Sequence, residues 1–569
     1  MIKSQQAAGD LGMRGKALFL AFGLTMILFC WYGLGFFGLV LGIPINFVEF
    51  PAGLILATFI FWWSTRPWLS LRQQVEIFSI STGLLIFSGI LSFLILDTSW
   101  DGQWYHQFAI MKLMNGWNPV QNPFYKITKF DLSNHTSIQH FPKFSWITAA
   151  VIAKFTGFIE TGKLINQLIA WAAFFNCCYV LGQFISKRGW NIAVSLLLTL
   201  NPVLVTQLFS DYVDGTMYAL LLLILLQLVS LENGEFRGFK WVILGSSIIM
   251  VSNIKFTGLI LSGVIIICFA FYWLIRHCPV KFLVKMAMAF TLCYSLAFLA
   301  FGYNPYLTNI RSRQQVFYPI NNPQYYEAGL NNEPRILEGK NNLVKWFYSL
   351  VSKCNNLVTQ HRLHWKDPFT VSKKEVLVFS MTDVRLSGFG FFFQLVFWIS
   401  LVLLIRNAIR YYRQPLFYLS WVILAGILVS TLISPVSWWA RLTPQFYIFP
   451  FLAILPGLGD AGLQGNRVFR WLSKAVVIIL GLNILLIAGA NFSANIIKTQ
   501  MIRKQLSALK KSPGPVRFDF DHTVFQATRE RLREAGVNFV LKDTLYGKVM
   551  ELQTLHKMVG FGPKYQVPE

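Results

Sequence analysis

The segment "EIFSISTGLLIFSGILSFLILDTSWDGQWYHQ", residues 76–107, decides the fold class. Residues 76–96 are almost wholly apolar and long enough to cross a hydrocarbon layer of about 30 Å as a helix. The run ends at Asp97, and Asp101 and His106 follow within a Trp-rich stretch. Because ionisable groups are costly in lipid, the sequence predicts that the chain leaves a membrane here.

Composition extends this prediction to the whole chain. Of its 569 residues, 55% are hydrophobic and 13% are charged, about half the charged share of a typical soluble protein. Apolar runs of spanning length recur, so we predict an all-α polytopic membrane protein with about 11–13 transmembrane helices. We place the spans near residues 17–41, 52–63, 76–96, 163–184, 190–207, 215–231, 239–253, 257–275, 283–302, 389–405, 416–433, 441–456 and 471–490.

The short loops predict the orientation. Lys and Arg collect on one side of the predicted spans, and the positive-inside rule makes that side cytoplasmic. This bias accounts for the net charge of +25, and no nucleic-acid recognition module accompanies it. The first external loop (97–162), a large external loop (303–388) and the chain after the last span then lie outside the cytoplasm.

Two domains are predicted. A transmembrane domain covers 1–491, and a soluble non-cytoplasmic appendage covers 492–569. The appendage contains "HTVFQATRERLREAGVNFVLKDTL", in which a helix, a Gly turn and a short strand are expected. We therefore expect a small α/β unit that docks an acceptor or contacts a partner.

Two acidic pairs fall at external span ends. Asp97 and Asp101 are four residues apart and would share one face of a helix. Partial desolvation raises the pKa of such a carboxylate, which suits a general base, although both acids would also serve simply to end the span in water. Asp211 and Asp214 form the second pair. These carboxylates and the imidazole of His106 could also bind a divalent metal ion.

Three cations mark other external span ends: Lys255, Arg385 and Arg441. Each alone would serve as an anchor whose stem lies in lipid. Together they are the groups needed to hold a lipid phosphate at the interface.

Several blocks resemble a known superfamily. The blocks are "WDGQWYHQ" (100–107), "HFPKFSW" (140–146), "NPVLVTQLFSDYVDG" (201–215), "KFTG" (255–258), "GYNPYLTNIRSRQQVFYPI" (302–320), "VRLSGFG" (384–390) and "WWARLTPQFYIFP" (438–450). Together with the predicted order of the spans, these blocks resemble polytopic glycosyltransferases of the GT-C superfamily. The resemblance is close to bacterial members related to protein mannosyltransferases and the lipid A aminoarabinose transferase. The resemblance covers roughly residues 75–456.

The resemblance implies a cell-envelope hexosyltransferase of polysaccharide biosynthesis. It would move a sugar from a polyprenyl-phosphate donor, with inversion, to a glycan, lipid or protein acceptor. The enzyme would lie in the bacterial inner membrane, among its lipids, with the site facing the periplasm. Protein mannosyltransferases are similar in carrying an adjacent Asp-Glu pair in this loop, but here Gly102 follows Asp101. That departure weakens the case for a protein acceptor.

The implied roles fall on the residues already named. Asp101 would be the base, with Asp97 as its rival, and His106 would orient the acceptor or assist a metal. The second acidic pair, Asp211 and Asp214, would bind acceptor hydroxyls or a metal. Lys255, Arg385 and Arg441 would hold the donor phosphate. A transporter or flippase of a lipid-linked glycan, or a polysaccharide polymerase or ligase, would need similar groups and remains the alternative.

Overall fold

The computed structural model describes residues 12–124, 135–231, 236–320, 332–412, 415–459, 467–520, 523–542, 545, 549–552 and 563–567. Within these residues the chain is mainly helical, with one small sheet near its C-terminus. The predicted fold class, an all-α multi-pass membrane protein with a small α/β appendage, is confirmed.

The helices follow one another with short connections. In the first half they are α1 Met13–Val40, α2 Glu49–Thr65, α3 Leu71–Leu94, α4 Gln107–Met114, α5 His135–His140, α6 Phe144–Thr156, α7 Leu164–Leu181, α8 Arg188–Thr199, α9 Pro202–Gln207, α10 Asp214–Ser230, α11 Arg237–Ser252, α12 Phe256–Ile275 and α13 Val280–Ser295. Single turns of π-helix occur at Gly102–His106, Leu296–Ala300 and Tyr303–Leu307, and a 3₁₀-helix occurs at Ile159–Lys163.

The second half contains the remaining elements. Its helices are α14 Thr308–Arg313, α15 Asn342–Val351, α16 Lys373–Phe379, α17 Phe393–Tyr411, α18 Pro415–Leu432, α19 Phe449–Leu458, α20 Arg467–Lys510 and α21 Thr528–Glu534, with 3₁₀ turns at Arg335–Leu337, Ala440–Leu442 and Pro444–Ile448. Its strands are β1 Val516–Asp519, β2 Phe539–Leu541, β3 Met550–Glu551 and β4 Lys564–Gln566. The sheet order is β2-β1-β4-β3, with β1 parallel to β2 and the other pairs antiparallel.

Seven helices among the described residues are long and apolar enough to cross a membrane: Met13–Val40, Leu71–Leu94, Ile159–Leu181, Phe256–Ile275, Val280–Ala300, Phe393–Tyr411 and Arg467–Lys510. Four shorter apolar helices, Phe144–Thr156, Asp214–Ser230, Tyr418–Leu432 and Pro444–Leu458, accompany them. The number of long helices is below the predicted number of spans because some predicted spans form short or broken helices.

The predicted span 190–207 shows how a span is broken. Pro202 has no backbone N–H, so the helix cannot run through it. A new helix, α9, begins there, and the Oδ1 atom of Asn201 caps it by accepting from the N–H of Val203 at 2.8 Å. The break places the loop after α9, which carries Asp211, beside the end of α3.

The last long helix links the two predicted domains. It contains 44 residues and is therefore about 66 Å long. The predicted boundary after residue 491 falls inside this helix, and the sheet begins only after its end at Lys510. Ile502, Leu506 and Leu509 pack with Leu96 and with the buried face of the sheet. The appendage therefore shares its core with the last turns of α20 and with Leu96, the last residue before the first external loop.

Candidate active site

Five of the predicted residues meet in one place. Asp101 lies just before the π-helical turn, Asp214 is the first residue of α10, and Lys255 directly precedes α12. Arg385 lies in the loop before α17, and Arg441 lies in the 3₁₀ turn Ala440–Leu442 that precedes α19. With Asp383, which the sequence analysis missed, they form what we call the external charge cluster, named for the side of the membrane that the Lys and Arg bias predicts. The predicted span ends therefore converge.

Arg441 lies at the centre of the external charge cluster. Its Nη2 atom is 3.0 Å from Oδ2 of Asp101, its Nε atom is 3.1 Å from Oδ2 of Asp214, and its Nη1 atom is 3.7 Å from Oδ1 of Asp383. The Nε contact is an ion pair without hydrogen-bond alignment. Burial would lower the pKa of Arg441, but the three carboxylates raise it well above its usual value. The guanidinium is therefore always charged.

Two more cations pair with the same carboxylates. Lys255 contacts Oδ1 of Asp214 through its ammonium group. Arg385 donates from Nε to Oδ2 of Asp383 at 2.9 Å, and the indole N–H of Trp439 donates to the other oxygen at 2.9 Å. Three carboxylates thus face three cations, and the external charge cluster is balanced.

Aromatic faces hold the two guanidinium groups. The guanidinium of Arg441 lies 4.7 Å from the ring centre of Tyr212 and 5.2 Å from that of Trp439. Arg385 lies 4.7 Å from the same Trp439 ring. Such cation–π contacts are worth about 0.5–2 kcal/mol each. Neither aromatic residue was among the predicted site residues, although Trp439 and Tyr212 stand within two residues of Arg441 and Asp214.

Asp101 is the more exposed of the two aspartates nearest Arg441. Its side chain is 17% exposed, whereas that of Asp214 is 3% exposed. Its main-chain N–H donates to the hydroxyl of Tyr212 at 3.3 Å. Burial raises the pKa of Asp101, and the neighbouring Arg441 opposes part of that shift. A raised pKa on a carboxylate that solvent can reach suits a general base.

Asp97 lies in a different environment. Helix α3 ends at Leu94 and residues 96–99 have no helical structure, so Asp97 and Asp101 do not share a helix face as predicted. Asp97 is fully buried. Its Oδ1 accepts from the N–H of Ser99 at 2.7 Å and its Oδ2 from the N–H of Asp211 at 2.8 Å. Asp97 therefore joins two backbone segments.

Gly102 provides the space for this arrangement. A Cβ atom at residue 102 would overlap Oδ2 of Asp97 and Oγ of Ser99, and it would lie 2.9 Å from Cγ of Asp97. The absence of a side chain after Asp101, a departure from the mannosyltransferase pattern, therefore has a local steric cause.

Asp211 belongs with Asp97 and not with Asp214. Its Oδ2 accepts from Nε2 of Gln107 at 3.0 Å. Close by, Glu160 accepts from the N–H of Asp97 at 2.8 Å, pairs with Lys163, and accepts from Nε of Arg531 at 2.6 Å. We call Asp97, Glu160, Lys163, Asp211 and Arg531 the buried loop network. Burial raises the pKa of both aspartates.

His106 is a neutral, buried ring. The indole N–H of Trp146 donates to its Nδ1 at 2.7 Å, and since indole only donates, we assign the ring proton to Nε2. Burial lowers the pKa of His106 to about 3. The ring is therefore uncharged at neutral pH and can donate one hydrogen bond from Nε2.

A metal site stays a prediction. In the described ranges, no group of three or more His, Cys, Asp or Glu side chains is arranged to hold a metal ion. The three carboxylates of the external charge cluster contact Lys and Arg side chains.

Comparisons with known proteins give distant similarities. No protein-family model and no curated protein sequence matches the chain. The crystal structure of ArnT from Cupriavidus metallidurans in the apo state is 12% identical, with a TM-score of 0.44 over 82% of this chain and 86% of that one. The crystal structure of ArnT from the same organism bound to undecaprenyl phosphate is 11% identical, with a TM-score of 0.43 over 83% of this chain and 86% of that one. Neither similarity assigns an activity to this chain.

Proposed function

We propose that the chain is an inverting glycosyltransferase that transfers a sugar from a polyprenyl-phosphate donor to a glycan, lipid or protein acceptor. The observation that carries the proposal is the external charge cluster. It joins a partly exposed carboxylate, Asp101, to three cations at the ends of apolar helices. The motif resemblance of residues 100–107 supports the same assignment.

Asp101 would act as the general base. A sugar or protein hydroxyl is a poor nucleophile, so the carboxylate takes its proton as the oxygen attacks the anomeric carbon. The bond from that carbon to the phosphate oxygen breaks, and the leaving polyprenyl phosphate keeps the electron pair. Attack from the face opposite the phosphate inverts the anomeric centre.

The cations would bind the phosphate of the donor. Lys255 and Arg385 have side chains that are 23% and 18% exposed, so a ligand can reach both. Arg441 touches Asp101 and would lie between the base and the leaving group. Charge-assisted contacts to a phosphate are about twice as strong as neutral hydrogen bonds. They stabilise the negative charge that grows on the leaving oxygen.

The activity is tested with purified protein, a panel of radiolabelled polyprenyl-phosphate sugars and membrane-extract acceptors. Transfer should occur with at least one donor. Asp101→Asn should lower kcat by about 10²–10⁴-fold because it keeps the size of the side chain but cannot accept the proton. Asp367→Asn, which changes an exposed carboxylate of the large external loop, is the matched control. Parental transfer by a folded Asp101→Asn variant would place the base elsewhere.

The face of the membrane is tested separately. In a cysteine-free background, single cysteines next to Asp101, Asp214 and Arg385 should react with an impermeant thiol reagent in intact spheroplasts. The Lys and Arg bias of the short loops leads to this expectation. Reaction only after lysis would put the site on the cytoplasmic face. Movement of a lipid-linked sugar across vesicles without transfer would instead favour the transporter alternative.

A further inference from the structure

The appendage inserts one arginine into the first external loop. Arg531 lies on α21, Thr528–Glu534, and is only 4% exposed. The neighbouring Arg533 points to solvent and pairs with Glu530 on the same helix, its side chain 57% exposed. Two arginines on one short helix therefore have opposite environments.

The donors of Arg531 reach both sides of the segment that contains Asp101. Its Nη2 donates to the main-chain carbonyl of Asp97, four residues before Asp101. Its Nη1 donates to Oε1 of Gln103 at 2.8 Å, and Nη2 lies 3.2 Å from Oε1 of Gln107. The guanidinium thus joins the start and the end of the segment 97–107.

Other contacts of the appendage lie on the same segment and on the turn beside it. The ring of Phe525 meets the ring of Trp100 edge to face, with 5.2 Å between their centres. Glu534 accepts from the N–H of Ile159 at 2.6 Å. Trp100 directly precedes Asp101, so the appendage touches the segment on both sides of the candidate base.

The transmembrane domain contacts Asp101 directly. Arg441 binds its carboxylate, and Tyr212 accepts from its N–H. Both of these contacts are made to Asp101 itself. Two arginines therefore position the segment 97–107. Arg441 binds the side chain of Asp101, and Arg531 binds the two ends of the segment.

We propose that Arg531 is a positioning residue, through which the appendage fixes the segment 97–107 and sets the place of the Asp101 carboxylate. This inference rests on the proposed function, because it takes Asp101 to be the base. Arg531 itself touches no reacting group. Its planar array of donors binds three side-chain or main-chain acceptors besides Glu160, which a single ammonium group cannot do.

The test is Arg531→Lys in the full-length protein. Lysine keeps the positive charge beside Glu160 but loses most of the other hydrogen bonds. We expect a folded protein whose donor KM stays within about twofold and whose kcat falls by up to about 10²-fold, the effect of misplacing a reacting group by about 1 Å. Peptides covering 97–107 should exchange amide hydrogens faster. Arg533→Lys, the exposed neighbour, should match the parental protein in both measurements.

A second variant, Gln103→Met, leaves the Arg531–Glu160 pair in place. It removes one acceptor of Arg531 and also the hydrogen bond that Nε2 of Gln103 donates to the carbonyl of Ser99 at 3.1 Å. It should show the same split between kcat and KM, which also decides the question if Arg531→Lys does not fold. Parental kcat together with parental exchange in either folded variant would overturn the proposal. Hydrogen exchange needs no substrate, so it can be measured whether or not the parental protein transfers sugar. If the variants exchange faster but the parental protein transfers no sugar, the proposed function is refuted and the loop contact is still established.

Discussion

Gly102→Ala is the substitution whose cost follows most directly from the structure. The new Cβ would overlap Oδ2 of Asp97 and Oγ of Ser99. The Asp97 carboxylate would have to move, and it would lose at least one of its hydrogen bonds to the N–H groups of Ser99 and Asp211, which measure 2.7 and 2.8 Å. The backbone that presents Asp101 would move with it.

The magnitude is the sum of two effects. Forcing an extra carbon into a packed site costs about 1–3 kcal/mol. Losing one hydrogen bond to a charged group costs about 1.5–3 kcal/mol. We therefore expect Gly102→Ala to destabilise the protein by about 2.5–6 kcal/mol. Because Asp101 is the adjacent residue, transfer should fall by up to about 10²-fold even where the protein remains folded.

The assay is thermal unfolding of detergent-purified protein, followed by sugar transfer well below the midpoint. Gly89→Ala is the control, since Gly89 lies on helix α3 and a Cβ atom added there would meet nothing within 4 Å. In an Asp97→Ala background the carboxylate is gone, so Gly102→Ala should cost measurably less there. A Gly102→Ala protein with the parental midpoint and transfer rate would refute the reasoning. An equal cost in both backgrounds would show that Asp97 is not the side chain displaced.

Three other outcomes are expected. Asp97→Asn should lower the unfolding midpoint through the buried loop network while reducing kcat much less than Asp101→Asn does. Arg385→Ala should weaken polyprenyl-phosphate binding by about 10–100-fold, the loss of one charge-assisted contact, with the exposed Arg362→Ala as control and equal affinities as the contrary result. Burial raises the pKa of Glu534 to about 8 from its usual 4.5, so its contribution to stability should be present below about pH 4.5 and lost as the pH rises through 8. Glu534→Gln should flatten that part of a plot of unfolding midpoint against pH, and an unchanged slope would contradict the assignment.

The part of the site that lies at span ends could be predicted from the sequence. Apolar runs fix where the chain leaves the membrane, and the Lys and Arg bias fixes the side. Residues at external ends, such as Asp101, Asp214 and Arg441, must therefore lie in one layer. Their meeting in one cluster follows from helix packing, which the pattern does not determine.

The other contacts of the candidate site could not be predicted from the sequence, some for local and some for long-range reasons. The four-residue spacing of Asp97 and Asp101 suggests one helix face, but α3 ends before both, and the two acids turn to different networks. Asp383 stands two residues before Arg385, and that proximity was a usable signal. Arg531 sits in "TRERLRE", a charged pattern that is typical of an exposed helix. Nothing local in it indicates a partner 434 residues away.

That separation has a consequence for the order of synthesis. Chains emerge from the ribosome at about 5–20 residues per second, so the 434 residues between Asp97 and Arg531 take about 20–90 s to make. From the synthesis of Asp211 until that of Arg531, Lys163 is the one cation of the buried loop network already made, beside Asp97, Glu160 and Asp211. The segment that carries Asp101 can receive the contacts of Arg531 only when the final part of the chain has been made. A chain that ends between Arg441 and Arg531 thus holds all the residues of the external charge cluster without the arginine that joins the ends of the segment 97–107, and those contacts can form only once translation has passed Arg531.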